Sequence, residues 1–374
     1  MANEDKATRY HRLQRRASVL GTLAGAALFA LLVTTGGAVW LRDVLRGVAG
    51  DSFAGLVASY TVALVLLADL VQLPFAYYRG VTLERRYDLS TQRLARWWLD
   101  QVKGVALGLL FAVTAALALW GLLRAMPGLW WLTAAALFSV VMLALAQLAP
   151  VLLMPLFYRF RPVQRQELVE RLMSLAARAD ARVIGVYEWM LSDRTRKANA
   201  ALAGIGRTRR ILLSDTLLAD HSDEEIEVIL AHELAHHVHH DIWKALALEA
   251  MLMTIAFCVA DSALTVAGPV LGLESKWDIA GLPLLVLAVG TVSLVLLPLG
   301  LALSRAHERR ADRYALEMTG NVPAFVSAMK RLSLRNLGEE TPSRLTELLF
   351  QSHPSTSARI AAAERWARGQ GRPG

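Results

Sequence analysis

Residues 279–304 read IAGLPLLVLAVGTVSLVLLPLGLALS, 26 residues without a charged side chain. At 1.5 Å per residue, a helix of that length crosses a hydrocarbon core about 30 Å thick. The run ends abruptly in Ser304-Arg305-Ala306-His307-Glu308-Arg309-Arg310-Ala311-Asp312. The chain therefore leaves a bilayer near Ser304 and presents titratable side chains at its surface.

Five further segments have the same character. Residues 17–41, 104–123 and 125–158 carry no charge, 52–78 carries only Asp69, and 251–273 carries only Asp261. Six spans are predicted, in a mainly α, multi-pass membrane protein. The composition agrees: of 374 residues, 55 % are hydrophobic and only 19 % charged, which excludes a disordered chain and an ordinary soluble globule. The single cysteine, Cys258, excludes an intrachain disulfide framework and a Cys-based structural zinc site. The first run is too long for a cleavable signal peptide and no A-x-A-like site follows it, so it reads as a retained anchor. Asp69 and Asp261, charged groups inside spans, are expected to face a polar chamber or to pair near a helix end.

Lysine and arginine placement sets the orientation. The N-terminal tail carries Lys6, Arg9, Arg12, Arg15 and Arg16, and the loop 79–103 carries Arg79, Arg85, Arg86, Arg93, Arg96 and Lys103. The opposite loops hold only Arg42, Arg46, Arg124 and Lys276. The larger group marks the cytoplasmic side. The net charge of +8 is thus mostly topology, and no nucleic-acid partner is expected. The predicted organisation is a cytoplasmic tail (1–16), a four-span membrane domain (17–158), a polar insert (159–244), two more spans (245–304) and a second cytoplasmic part (305–374).

The insert reads as a small α+β unit. Residues 164–178 have helical apolar spacing. Residues 181–190 are β-rich, and 199–204 and 210–213 read as two short strands joined by a turn around Gly206. Ser222 then opens a helix, with Glu225 three residues on to complete a capping box. That helix carries His232-Glu233-Leu234-Ala235-His236. Histidines at i and i+4 stack on one helix face, about 6 Å apart, so both imidazoles reach one tetrahedral zinc. Glu233, beside the first histidine, reaches a metal-bound water as its base. Catalytic zinc takes a third protein ligand, which must lie on the same membrane side. The two spans after His236 return the chain to that side at Ser304. Glu308 is the candidate there and His307 its competitor. Asp312, one turn beyond Glu308, is placed to orient a ligand histidine through its ring N–H. His237, His239 and His240 read as the polar end of the helix.

These pieces together resemble the membrane zinc metalloproteases of the CAAX prenyl endopeptidase type I family, to which the heat-shock protease HtpX is related. The resemblance rests on H-E-L-A-H, two spans, then S-R-x-x-E-x-x-A-D. It extends to Lys197-Ala198-Asn199-Ala200-Ala201-Leu202-Ala203-Gly204 with Ile211 to Asp215, to His353-Pro354 with Arg359, and to the loop Leu83 to Ser90 continuing to Gly104. It implies one Zn2+ per chain held by His232, His236 and Glu308, with Glu233 as base. It implies that Asn199 and Ala200 lie on an edge strand that pairs with the substrate backbone, and that His353 and Arg359 act near the scissile carbonyl. It implies a zincin-like catalytic domain, and a substrate that is a peptide or membrane protein, prenylated in the CAAX case. The eukaryotic-type enzymes have seven spans, so one N-terminal span is missing here. The expected location is a bacterial inner membrane, with N-terminus and active site on the cytoplasmic side. Quality-control proteolysis of HtpX type is the alternative. A zinc transporter or sensor, or a peptide-binding scaffold, fits less well, because the motif lies outside the apolar runs and Glu233 is intact.

Overall fold

A computed structural model describes residues 5–50, 52–204 and 208–370. The turn expected at Gly206 lies outside these residues. Among them, six helices are long and apolar enough to cross a membrane, four before the insert and two after it.

The membrane part opens with α1 (Lys6–Thr34), α2 (Gly37–Ala49) and α3 (Phe53–Tyr77). The uncharged run 17–41, expected as one span, is broken. Gly36 takes φ +74°, a left-handed conformation that glycine adopts without steric cost, and the chain turns there into α2. With 13 residues, about 20 Å at helical rise, α2 is too short to cross. It lies instead along the far side of the bundle. Arg42 is buried in an ion pair with Asp278, and Arg46 bonds Glu274 through both terminal nitrogens at 2.9 Å. Asp261 is also tied there, accepting from Trp130 Nε1 at 2.5 Å and Lys276 Nζ at 2.6 Å. It is a paired structural carboxylate. Asp69 has no hydrogen bond or ion pair among the described residues.

After α3 the chain makes a π-helical turn over Tyr78–Leu83 and a short α4 (Glu84–Arg86). The spans α5 (Leu94–Ala125) and α6 (Trp130–Leu148) follow, then a second π turn over Ala149–Leu153 and α7 (Met154–Phe157). π turns are rare and mark irregularities kept for a reason. Here the first stands where a span enters the loop 79–103 and the second where a span meets the insert.

The insert contains β1 (Phe160–Pro162), α8 (Gln166–Arg178), β2 (Val186–Trp189), β3 (Ala200–Ala203), β4 (Arg210–Ser214), α9 (Asp215–Asp220) and α10 (Asp223–Val238). The sheet order is β1-β2-β4-β3. β2 pairs parallel with β4, and the two outer pairings are antiparallel. β3 is therefore an edge. Leu168, Leu172 and Leu175 of α8, Ile211 and Leu213 of β4, and Ile226, Leu230 and Leu234 of α10 form one buried core. Burying such side chains stabilises by about 1.5–3 kcal/mol each, before chain entropy is counted.

The chain then re-enters the bundle as α11 (Asp241–Val266) and returns as α12 (Leu282–Thr319), a single helix of 38 residues. α12 runs unbroken through position 304, so the last span and the charged segment after it are one rigid element. α13 (Val322–Asn336), α14 (Arg344–Phe350) and α15 (Thr356–Gly369) close over the insert. Phe325 of α13 is fully buried in its core.

The start of α1 sits on the side of the insert. Tyr10 bonds Glu84, Lys197 Nζ lies 2.9 Å from the same carboxylate, and Arg15 pairs with Glu339 at 2.6 Å. Within the loop 79–103, Ser90 bridges to Thr195 and Arg96 pairs with Asp193 at 3.3 Å. The two basic clusters of the sequence thus share one face with the H-E-x-x-H helix.

Candidate active site

α10 begins as expected. Ser222 accepts from the Glu225 N–H, and the Glu225 carboxylate accepts from the Ser222 N–H. Asp223, Glu224 and Glu225 complement the positive end of the helix dipole. Two turns on, the helix brings its histidines against α12. Ala231 and Ala235 on α10 and Ala311 and Ala315 on α12 are fully buried, and side chains this small let two helix backbones approach closely.

His232 and His236 stand with ring centroids 5.1 Å apart. Glu308 of α12 completes the group. Its Oε2 lies 3.3 Å from His232 Nε2 and its Oε1 3.4 Å from His236 Nε2. A tetrahedral ion with bonds of about 2.0–2.1 Å spaces its ligands about 3.3–3.4 Å apart, so the three side chains fit a zinc-sized cation. Glu308 Oε2 is also buried without a hydrogen-bond partner. A buried acceptor left bare costs about 1–3 kcal/mol, and a cation between the three groups removes that cost.

Each histidine is held from behind. His232 Nδ1 lies 2.9 Å from Asp312 Oδ1, and His236 Nδ1 lies 3.0 Å from Asp241 Oδ2. Both Nδ1 atoms are thereby donors, and both Nε2 atoms keep a lone pair for a metal. Burial works against protonation of His232. The nearby carboxylates of Asp312 and Glu308 outweigh it, and push the metal-free imidazole up to about 9. His236 is raised in the same way: burial opposes the charge, and the carboxylates of Glu308 and Asp241 win. Burial pushes the Glu233 carboxyl up, against the pull of the two imidazoles.

Arg359 of α15 forks onto Asp312, with Nε 2.8 Å from Oδ2 and an Nη2 contact to Oδ1. The same Nη2 is 3.9 Å from Glu308 Oε2. His353, in the segment before α15, places Nε2 3.3 Å from Glu308 Oε1 while Nδ1 meets the Ser352 hydroxyl at 2.8 Å. His353 is exposed, whereas Arg359 is largely buried.

Residues 161–367 match the profile of peptidase family M48. The chain belongs to that family. Residues 2–159 match the profile described as CAAX prenyl protease N-terminal, five membrane helices. α1, α2, α3, α5 and α6 fill that stretch, and α2 is the one too short to span. The peptidase is 31 % identical to the uncharacterized metalloprotease YhfN of Bacillus subtilis, over 90 % of this chain and 80 % of that one. It is 28 % identical to the probable CAAX prenyl protease 1 of Schizosaccharomyces pombe, over 82 % of this chain and 65 % of the relative's length. In fold it is like the crystal structure of S. mikatae Ste24p, with TM-score 0.84 at 22 % identity, covering 96 % of this chain and 87 % of that one. It is a membrane-integral metalloprotease.

The remaining sequence candidates fall around this centre. His307, the expected competitor of Glu308, faces Asp241 at 3.8 Å and is not among the grouped ligand atoms. His239 and His240 bond backbone carbonyls at the end of α10, and His237 meets Arg209 at 3.3 Å. Asn199 stands just before β3. Its carbonyl accepts from Ser214 N and its N–H donates to Ser214 Oγ, so its backbone faces inward to β4. Alternation along an antiparallel pair then turns the N–H and C=O groups of Ala200 and Leu202 to the open edge. The Asn199 amide oxygen accepts from the Ala200 N–H at 2.9 Å. Asp241 is the residue that the sequence reading missed. It opens α11, where an acid reads simply as complement to a helix dipole. Its distance of five residues from His236, across the left-handed His240, was the available signal.

Proposed function

We propose that this peptidase is a zinc-dependent endopeptidase that cuts membrane-associated peptides on the cytoplasmic side of a bacterial inner membrane. The observation that carries the reading is the three-residue group His232, His236 and Glu308 with Glu233 beside it. Zinc bound there supplies Lewis acidity and lowers the pKa of a coordinated water to about 7. Glu233 takes the proton of the attacking water and hands it to the leaving amine nitrogen. His353, beside Glu308 and open to solvent, donates to the carbonyl oxygen as charge gathers there. Arg359 is a positioning residue: it holds Asp312, which holds His232. The C=O of Ala200 and the N–H and C=O of Leu202, on the open edge, bind an extended peptide by β-augmentation, while the Ala200 N–H is held by the Asn199 side chain. Arginine-rich loops on the side of the site support the cytoplasmic assignment. The names of the eukaryotic relatives and the matching N-terminal profile bring prenylated CAAX-type peptides into the substrate class.

The test uses wild type and Glu233→Gln purified in detergent. Bound zinc is quantified, and both are offered a prenylated peptide and an unmodified membrane-protein fragment. Zinc in both proteins with cleavage by wild type alone is expected. Turnover by Glu233→Gln at the wild-type rate overturns the assignment. Preference for the unmodified fragment moves the substrate class to quality control.

A further inference from the structure

A cavity of about 310 Å3 lies between the start of α5 and the end of α7, on the side of the bundle that carries the insert. Its position marks a membrane boundary. The uncharged run 104–123 begins one residue after Lys103, and the uncharged run 125–158 ends one residue before Arg159. Both of these side chains line the cavity. Where α3 and α5 end on the same side, the exposed Trp98 stacks on Tyr77 with ring centroids 6.4 Å apart. Amphipathic rings of this kind gather at the headgroup level of a bilayer. No residue of the metal site or of β3 lines this cavity.

One stripe of α5 supplies a wall. Arg96, Leu99 and Lys103 follow at spacings of three and four, so they share a helix face. The charges around the cavity do not balance. Arg194 takes up Asp100 through both terminal nitrogens, and Arg96 pairs with Asp193 at 3.3 Å. Lys103 meets no carboxylate among the described residues: its Nζ donates to the Leu156 carbonyl at 3.0 Å and stands 6.0 Å from the centre of the Phe157 ring. The Arg159 side chain is exposed and has no hydrogen bond or ion pair among the described residues. Two cations are left over at the boundary. Beside them Leu99 and Leu156 are exposed, and so is Leu152, one turn deeper toward the bilayer. Unmatched cations above an apolar wall, at headgroup level, suit a lipid whose head is negative.

We propose that this cavity binds the headgroup of an anionic phospholipid, with its phosphate held by Lys103 and Arg159 and its acyl chains against Leu156 and Leu152. Charge-assisted bonds from an ammonium and a guanidinium hold the phosphate oxygens. A free phosphate would leave the leucines uncovered, and a lipid covers both parts of the site. The site also touches a junction of the fold. Arg194, which lines it, bonds Asp100 of α5 and the Phe157 carbonyl of α7, and stands six residues before β3. A headgroup seated here adds a contact between two spans and the segment that leads to the edge strand. Bound lipid therefore stabilises the seam between the membrane part and the insert.

The experiment uses the full chain in an uncharged detergent. Native mass spectrometry reads the lipid retained per chain, and the melting temperature is followed beside it. The probes are dioleoylphosphatidylglycerol, the phosphatidylcholine with the same acyl chains, and inorganic phosphate. The expected result is one saturable phosphatidylglycerol per chain, held about 10-fold more tightly than phosphatidylcholine. It raises the melting temperature, and inorganic phosphate does not. Lys103→Gln combined with Arg159→Gln weakens the binding about 10- to 100-fold, the range of charged hydrogen bonds. Arg16→Gln combined with Arg86→Gln removes the same charge from exposed positions on the same face, and leaves the affinity unchanged. Equal losses in the two double variants overturn the proposal and reduce the effect to general surface charge. Equal affinity for phosphatidylglycerol and phosphatidylcholine overturns it as well. Protection by inorganic phosphate as strong as that by the lipid assigns the cavity to a free anion instead. Should the Lys103 and Arg159 double variant fail to fold, Arg159→Gln alone decides, because that side chain is exposed and bonds nothing among the described residues.

Discussion

Asp241 Oδ2 lies 3.0 Å from Nδ1 of His236, the same relation that Asp312 Oδ1 holds to Nδ1 of His232 at 2.9 Å. The two carboxylates come from the start of α11 and the middle of α12, each behind one of the two histidines. Each fixes one tautomer and one ring plane. Asp241 is 5 % exposed and also takes an ion pair from Arg310. Asp241→Asn keeps the shape but loses the charge. Removing such a partner commonly costs about 10- to 100-fold in metal affinity. Zinc competition against a chromophoric chelator measures the loss, and unchanged affinity removes Asp241 from the site.

Much of this arrangement was legible before the structure. Six spans, the capped helix from Ser222 and the pairing of Glu308 with the H-E-x-x-H histidines follow from charge-free runs and helical spacing. Three features were not. The break at Gly36 hides inside an uncharged run, because hydropathy does not register a left-handed turn. β1, three residues long, has no periodicity to read. Asp241 reaches His236 only because His240 adopts φ +57°, and no local pattern announces that bend between α10 and α11. Periodicity reports what one element does alone. The missed features are junctions between elements.

Proton and metal compete for His232. In the metal-free protein its imidazole titrates at about 9, well above the usual histidine value. Below that pH the ring is mostly protonated and must release its proton as the metal enters. Zinc affinity therefore rises with pH up to about 9 and then levels. Near pH 7.5 His232 alone releases about one proton per metal bound, and His236, raised as well, adds to it. Titration calorimetry in buffers of different ionisation enthalpy counts that proton. An affinity independent of pH between about 7 and 9 contradicts the hydrogen-bonded arrangement around His232.

Glu233 stands next to the first ligand without joining the three grouped ligand atoms. Glu233→Gln removes a proton acceptor and leaves the ligand set whole. Rate should fall by about 10²–10⁴, the usual size of a general-base effect. Metal content should stay at one per chain. His232→Ala or Glu308→Ala should instead lose metal along with activity. Measuring zinc by atomic absorption beside turnover separates the two kinds of variant.

Arg359 and Asp312 form the last link behind the metal site. Their side chains are 13 % and 7 % exposed, so the pair is largely removed from water. Charge withdrawn from water is costly once its partner goes, and breaking a buried pair typically destabilises by about 3–5 kcal/mol. Arg359→Ala leaves Asp312 facing His232 with no guanidinium behind it, so its melting temperature in detergent should drop. Lysine keeps the charge but loses the fork, and Arg359→Lys should recover only part of the loss. Stability alone does not separate a strut from a positioning residue, but zinc affinity does. If Arg359 orients His232 through Asp312, then Arg359→Lys and Asp312→Asn weaken zinc binding by a common route. The double variant then loses less affinity than the two single losses summed. Strict additivity would place Arg359 outside the chain that holds His232, as a support for α15 and nothing more.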